Sequence, residues 1–216
     1  MNRSNKKPLL TLVALVIIFG VGFFIWNSFK NSGDSGMADP KLLMNANSHV
    51  LEEGTRIYPV TLVEFGDYQC PACGFAEALV EKITDEDPKI RRVFRNFPLT
   101  TVHKHALQAA EAAEAANAQG KFWEMLKLLY TNQDTWSKQD DPLPFFSKMA
   151  EELQLDVHQF TSDVSANKYA DVINKDRADG TALGVNSTPT FYINGKKYTG
   201  PNNYAALKSA IDEATP

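Results

Sequence analysis

The 216-residue sequence predicts an α/β domain, and two observations carry that prediction. A β-branched apolar run leads into a helical pattern and then a second strand. After a long helical stretch, the apolar period switches back to alternation around an Asn-Gly pair. A third observation sets this domain apart from what precedes it: Leu9 to Trp26 is a run of 18 uncharged residues.

Taken in order, the N-terminal run comes first. As a helix it would span about 27 Å, close to the hydrocarbon thickness of a bilayer. It has no polar face, which argues against a buried core helix. Arg3, Lys6 and Lys7 precede it and only Lys30 follows closely, so the positive-inside rule places the N-terminus in the cytoplasm and the rest outside. Residues 1–30 are therefore read as a cytoplasmic stub and one transmembrane helix. A cleaved signal peptide is the competing reading, with Gly36-Met37-Ala38 as the small-residue site. That site lies about ten residues beyond the apolar run, which is far for cleavage.

Asn31 to Asn47 carries Gly, Ser, Asp and Asn and is expected to be a flexible tether. The whole chain has a net charge of −4, but the first 30 residues hold four bases and no acid. The remainder carries 18 bases and 26 acids, a net charge of −8. With no basic stripe after residue 30, the composition excludes a nucleic-acid binder.

Within residues 48–216, Val60 to Phe65 reads as a buried central strand broken by Gly66 and Asp67. Pro71 suits the first turn of a helix over about Ala72 to Thr84, with Phe75, Leu79 and Ile83 at four-residue spacing. Ile90 to Phe97 reads as a second strand, parallel to the first because a crossover joins them. Ala106 to Ala118 holds eight alanines in 13 residues and stops at Gly120, a C-cap. Phe122 to Tyr130 and Phe145 to Leu153 carry apolar stripes, the second after Asp141 as N-cap. Val157 to Val164 and Asn167 to about Leu183 continue the helical block. Thr190 to Ile193 and Lys196 to Thr199 flank Asn194-Gly195 as a hairpin, and Tyr204 to Ala214 closes the chain.

The chemistry concentrates on the chain's two cysteines, Cys70 and Cys73. Two are too few for a disulfide-stapled scaffold or a cysteine-only zinc site, while an exported domain favours disulfide chemistry. A thiolate at a helix N-terminus faces unpaired N–H groups and the positive end of the dipole, so its pKa falls below the free value of about 8.5. Cys70 is the exposed candidate. Cys73, one turn on, is expected to be more buried. Pairing with His103 and His105 as a zinc site is the alternative. Against it, two histidines two residues apart cannot share one helix face. His49 and His158 are expected at the surface. Phe122 and Phe75 are expected in the core, while Tyr68, Trp123 and Trp136 could instead line a groove for unfolded chains.

This order of elements, with Cys-x-x-Cys at the mouth of the first helix, resembles the thioredoxin fold with an inserted α-helical domain at about 100–183. More narrowly, it resembles the DsbA-type thiol–disulfide oxidoreductases, including membrane-anchored bacterial forms. The residues that carry the resemblance are Asp67-Tyr68-Gln69-Cys70-Pro71-Ala72-Cys73, Asn96-Phe97-Pro98-Leu99, Gly120 to Met125 and Gly184 to Phe191.

The resemblance implies a catalytic pair, Cys70 as nucleophile and Cys73 as resolving thiol, with no metal and no cofactor. It makes Pro71 and Ala72 the active-site dipeptide, where strongly oxidising members often have histidine at the second place. It implies a cis Thr188–Pro189 peptide against the cysteines, whose backbone can pair with an extended substrate. It places Glu64 near Cys73 as a proton-transfer group, with a structural ion pair as the other reading. It implies a cap role for His103 at the start of the alanine-rich helix. The expected activity is introduction of disulfides into exported polypeptides, with reoxidation by a membrane quinone-linked partner. The alternatives are a disulfide reductase or isomerase, and a chaperone-like binding module with a structural Cys70–Cys73 bridge.

Overall fold

The computed structural model describes residues 36–51, 58–87 and 89–216. In chain order the elements are α1 (Pro40–Leu43), β1 (His49–Leu51), β2 (Val60–Gly66), α2 (Pro71–Glu86), β3 (Ile90–Asn96), α3 (Ala106–Asn117), α4 (Phe122–Thr131), α5 (Gln133–Trp136), α6 (Leu143–Glu152), α7 (Val157–Ser165), α8 (Ala170–Ala182), β4 (Thr190–Ile193), β5 (Lys196–Lys197) and α9 (Tyr204–Glu213). The apolar run at 9–26 lies outside the described residues. Among the described residues no helix is long and apolar enough to cross a membrane.

The strands form one sheet in the order β1-β3-β2-β4-β5. β2 and β3 are parallel, from Val60 opposite Ile90 to Gly66 opposite Asn96, as the strand–helix–strand pattern predicts. β4 runs antiparallel to β2 and places Phe191 opposite Glu64. Alternation along β2 sorts its side chains between two layers. Leu62 packs with Val80 and Ile83 of α2 and with Leu207 and Ile211 of α9. Val63 and Phe65 pack with Val93, Phe97 and Tyr192 on the other face. Glu64 and Gly66 therefore share the face of Leu62, beneath α2.

Between β3 and β4 the helices α3 to α8 form the predicted insertion, with a core that includes Phe122, Leu126, Leu129, Trp136, Phe146 and Phe160. Gly120 at φ 77° ends the alanine-rich helix, and Lys121 N–H returns to the Ala116 carbonyl. The Asn194-Gly195 turn has positive φ at both residues, the conformation its sequence calls for. Asn194 also locks the hairpin to β2, accepting from Thr61 N–H at 2.8 Å.

Several expectations change. The tether expected over 31–47 is shorter on its described side, because the compact unit begins at Ala38. Ala38 N–H donates to the Gly195 carbonyl, and Leu43 is buried. Arg95 binds the carbonyls of Leu42 and Leu43 at 2.8 Å each. His49 is buried on the edge strand β1, which was not foreseen; its ring stacks on Phe122 and its Nε2 meets Glu114 at 2.7 Å. Phe75, expected in the core, is 60% exposed because Val80 and Ile83 occupy the sheet-facing side of α2. The second hairpin strand stops at Lys197. α8 begins at Ala170, since Asn167 takes a positive φ at the end of α7.

Gly180 lets α8 approach the sheet closely. A Cβ there would lie 2.8 Å from the Phe97 ring and 2.9 Å from the Phe65 ring. Gly180→Ala is expected to destabilise by about 1–2 kcal/mol, overpacking outweighing the helix-propensity gain of about 1 kcal/mol. Thermal unfolding checks this; an unchanged or higher Tm would mean that the two rings yield freely.

Candidate active site

The site is built where β2 ends and α2 begins. Cys70 is the N-cap residue of α2 and Pro71 takes its first position, where a missing N–H costs nothing. Cys70 is 8% exposed and Cys73 is 0% exposed, both as thiols. Both are therefore buried, Cys70 the less so, and the exposure expected for Cys70 is not found.

As a thiol, Cys70 donates to the Thr188 carbonyl at 3.4 Å. As a thiolate it accepts from the Cys73 thiol first. Burial opposes ionisation, and the Thr188 hydroxyl and the Cys73 and Ala72 N–H groups favour it. The result is a pKa lowered to about 5. Ala72 supplies only its backbone, so no side chain at that place is needed. Cys73 is pushed the other way, well above the ordinary thiol range, by burial, by its bond to Cys70 and by Glu64. The Thr188–Pro189 peptide is cis, as the resemblance implied, and Thr188 is in contact with Cys70.

Glu64 is buried beneath the pair and makes no hydrogen bond through either carboxyl oxygen among the described residues. Burial first, then Glu77, raises its pKa to about 8 against the pull of Arg92. Arg92 approaches Glu64 only to 4.0 Å. It is engaged in two bonds with Glu77, one of 3.0 Å between Nη1 and Oε1, and lies over the Trp123 ring at 4.8 Å. The base left unnamed by the sequence is Arg92, and its closer partner is Glu77.

Three side chains to which the sequence assigns no role in the site fix the loop between β2 and α2. Asp67, fully buried, accepts from Gln69 N–H, Leu99 N–H and His103 Nδ1, each at 2.8 Å. Gln69 accepts from His105 N–H at 2.7 Å. Gln133, from the insertion, donates to the carbonyls of Tyr68 at 2.7 Å and Cys70 at 2.9 Å. Asp67 two residues before a free N–H is an Asx-turn signal legible in sequence. Gln133 lies more than 60 positions from its partners and leaves no local signal.

His103 thus binds Asp67 rather than capping α3, and His105 Nε2 meets the Gln139 carbonyl. Of the aromatic residues proposed for a groove, Tyr68 and Trp136 are buried and Trp123 is half-buried, while Phe122 is in the core as expected. The Trp136 indole donates to the Leu129 carbonyl at 2.7 Å, which accounts for its place in the core.

Fold and site define a protein in which a thioredoxin-type sheet presents two buried thiols of unequal depth at a helix N-terminus. The chain belongs to the thioredoxin family: a family model described as Thioredoxin matches residues 51–213. Among solved structures, oxidised BdbD from Bacillus subtilis shares the fold with a TM-score of 0.71 at 24% identity, covering 84% of this chain and 97% of that one. A thioredoxin-like oxidoreductase from Silicibacter pomeroyi DSS-3 aligns with a TM-score of 0.65 at 31% identity, over 82% and 98% of the two chains. A curated relative, Na(+)/H(+) antiporter NhaA 3 of Salinispora tropica, is 41% identical over 161 residues, 74% of this chain. The chain spans about a quarter of that relative's length, 24%.

Proposed function

We propose that this chain is an extracytoplasmic thiol–disulfide oxidoreductase that introduces disulfides into exported polypeptides. The observation that carries the reading is the opposed ionisation of the two thiols, Cys70 near 5 and Cys73 well above the ordinary range. A stabilised Cys70 thiolate favours the reduced protein, which makes its disulfide a willing electron acceptor.

A substrate thiolate attacks the Cys70 sulfur of the Cys70–Cys73 disulfide. The bond between the two cysteines breaks, its electron pair stays on Cys73, and a substrate–Cys70 mixed disulfide forms. Glu64, protonated at neutral pH, gives its proton to the Cys73 thiolate, which burial makes costly to leave charged. A second substrate thiolate then attacks the substrate sulfur of the mixed disulfide. Cys70 leaves as a thiolate, and the substrate keeps the disulfide. The Thr188 backbone and the exposed Pro71-Ala72 pair border the sulfur that the substrate reaches.

The uncharged run at 9–26 supports a membrane anchor with the domain outside, and a matching portion within an antiporter-named relative is consistent with work beside a membrane. A quinone-linked membrane partner would return the dithiol to the disulfide.

Cys73→Ser tests the reading. The variant is expected to accumulate mixed disulfides between Cys70 and exported proteins, visible on non-reducing gels and lost on reduction. No adducts would leave the binding-module alternative in place. Equilibration of the wild type with glutathione separates oxidase from reductase: a potential near or above about −180 mV supports the oxidase, and about −270 mV the reductase.

A further inference from the structure

A cavity of about 570 Å³ opens beside the edge strand β1. Its wall comes from three parts of the chain: Asn47 to His49 at the entry to β1, Glu114 and Asn117 of α3, and Trp123 and Tyr169 at the starts of α4 and α8. None of Cys70, Cys73, Thr188 and Pro189 lines it. Among the described residues, no lysine or arginine does either.

Glu114 is the buried acid of this wall, only 2% exposed. Its two oxygens are used unequally. Oε1 accepts from Asn96 Nδ2 and meets His49 Nε2, both at 2.7 Å. Oε2 has no hydrogen bond among the described residues, yet it is not sealed from solvent as both carboxyl oxygens of Glu64 are. Glu114 lines the cavity, so the bare oxygen is the one it presents there. A nearly buried carboxylate with one bare oxygen carries a desolvation cost that a further donor would recover.

The protein has no cation of its own to spare for it. Basic side chains on the adjoining elements are already held: Lys168 by Asp163, Arg95 by Asp176, and Arg92 by Glu77 with its guanidinium over the Trp123 ring. Glu124 also lines the cavity, is exposed, and has only a surface pair with Lys121. From residue 31 onward the chain carries 26 acids against 18 bases, a net charge of −8 that favours the approach of cations.

We propose that this cavity binds a guanidinium group, carried by an arginine side chain or by a small guanidino compound, with Glu114 Oε2 as the anchoring acceptor. A guanidinium has five donors in one plane and no acceptor, and it stays charged at any physiological pH. It is more weakly hydrated than an ammonium, so it gives up water more readily for a carboxylate that is itself nearly buried. One edge of the group faces Glu114, and the amide oxygens of Asn47 and Asn117 are the acceptors within the same wall for the remaining donors. The Trp123 and Tyr169 side chains offer apolar surface to the aliphatic arm. No bond is made or broken, and the thiols take no part.

Calorimetry on the full chain in detergent tests the proposal with four probes: N-acetyl-arginine amide, its neutral isostere N-acetyl-citrulline amide, N-acetyl-lysine amide and agmatine. The arginine compound is expected to bind with a Kd on the order of 1 mM or tighter. The citrulline compound should bind at least about tenfold more weakly, because it lacks the charge that strengthens the bonds to a carboxylate. Glu114→Gln keeps an oxygen for His49 and Asn96 and should lose about tenfold in affinity for the arginine compound. Agmatine tells the two sources apart. Tighter binding than the blocked arginine points to a free guanidino compound, and weaker binding to a polypeptide side chain.

Absence of binding by both guanidinium probes overturns the proposal, as does equal binding of the citrulline compound or an unchanged affinity in Glu114→Gln. Equal binding of the lysine compound overturns the assignment to a guanidinium. Should Glu114→Gln not fold, Glu124→Lys takes its place at an exposed position. It sets a like charge beside the ligand, and several-fold weaker binding is expected. Wild-type affinity in that variant overturns the site. Since no readout involves Cys70 or Cys73, failure here leaves the oxidoreductase reading to its own test.

Discussion

Cys70→Ser is expected to reduce thiol–disulfide exchange to the uncatalysed background, and the pH dependence of the wild-type thiol explains the size of the loss. With a pKa of about 5, Cys70 is about 99% thiolate at pH 7, whereas an ordinary cysteine is only a few per cent ionised. A serine hydroxyl offers no comparable anion and no sulfur to form a mixed disulfide. The lowered pKa also acts on the redox balance. A group depressed in the folded state stabilises it fully above its unfolded value, and that stabilisation is lost as pH falls through the folded value.

For Cys70 the window runs from 9.0 down to about 5. At pH 7 about two of the four units are in effect, about 2.7 kcal/mol, or ~60 mV on the potential of a two-electron couple. Glu64, raised to about 8, is protonated at pH 7, and burying it costs stability above its ordinary carboxyl value. Alkylation of the reduced protein by iodoacetamide, followed against pH, measures the window. The rate should be flat above about pH 6 and fall with a midpoint near 5. A midpoint near 8.5 would remove the physical basis for an oxidising disulfide.

Arg95→Met should produce the largest loss of stability. Arg95 is fully buried and holds Asp176 through Nε and Asp179 through Nη2, each at 2.8 Å, as well as two carbonyls of the entering chain. Removing one side of a buried pair leaves its partners charged and unsolvated, at about 3–5 kcal/mol. For a domain of this size that lowers Tm by about 6–20 °C. Adding Asp176→Asn and Asp179→Asn should recover part of the loss, because the residual charges go with the arginine. If the single variant melts within about 2 °C of the wild type, those carboxylates have found other partners or water, and the ion cluster does not hold 38–47 in place. Faster hydrogen exchange in Leu42 to Asn45 should accompany the drop in Tm.

Much of this was written locally in the chain. Val60 to Gly66, Pro71 after Cys70 and Asn194-Gly195 each combine a period with a residue of fixed backbone preference, and all three stand where expected. Phe75 misled because four-residue spacing marks a helix but not which of its faces is covered. His49 misled because three residues of edge strand are too few to display alternation. The parts of the site that join distant segments left least trace. Gln133 meets Cys70, and Tyr130 meets Gly66, only after α4 and α5 have packed against α2 and β2.

The three bonds converging on Asp67 tie the Leu99 to His103 turn rigidly to the loop that carries Cys70. A mouth fixed in this way has little freedom of its own to surrender when a chain enters it, and little ability to reshape itself around a finished surface. On the function proposed above, the conformational adjustment would fall to the incoming polypeptide, and compliance, rather than any particular sequence, would be what the site selects. A protein would stop being a substrate at the moment its own folding withdraws that compliance. The timing of release would then be set by the client and not by the enzyme.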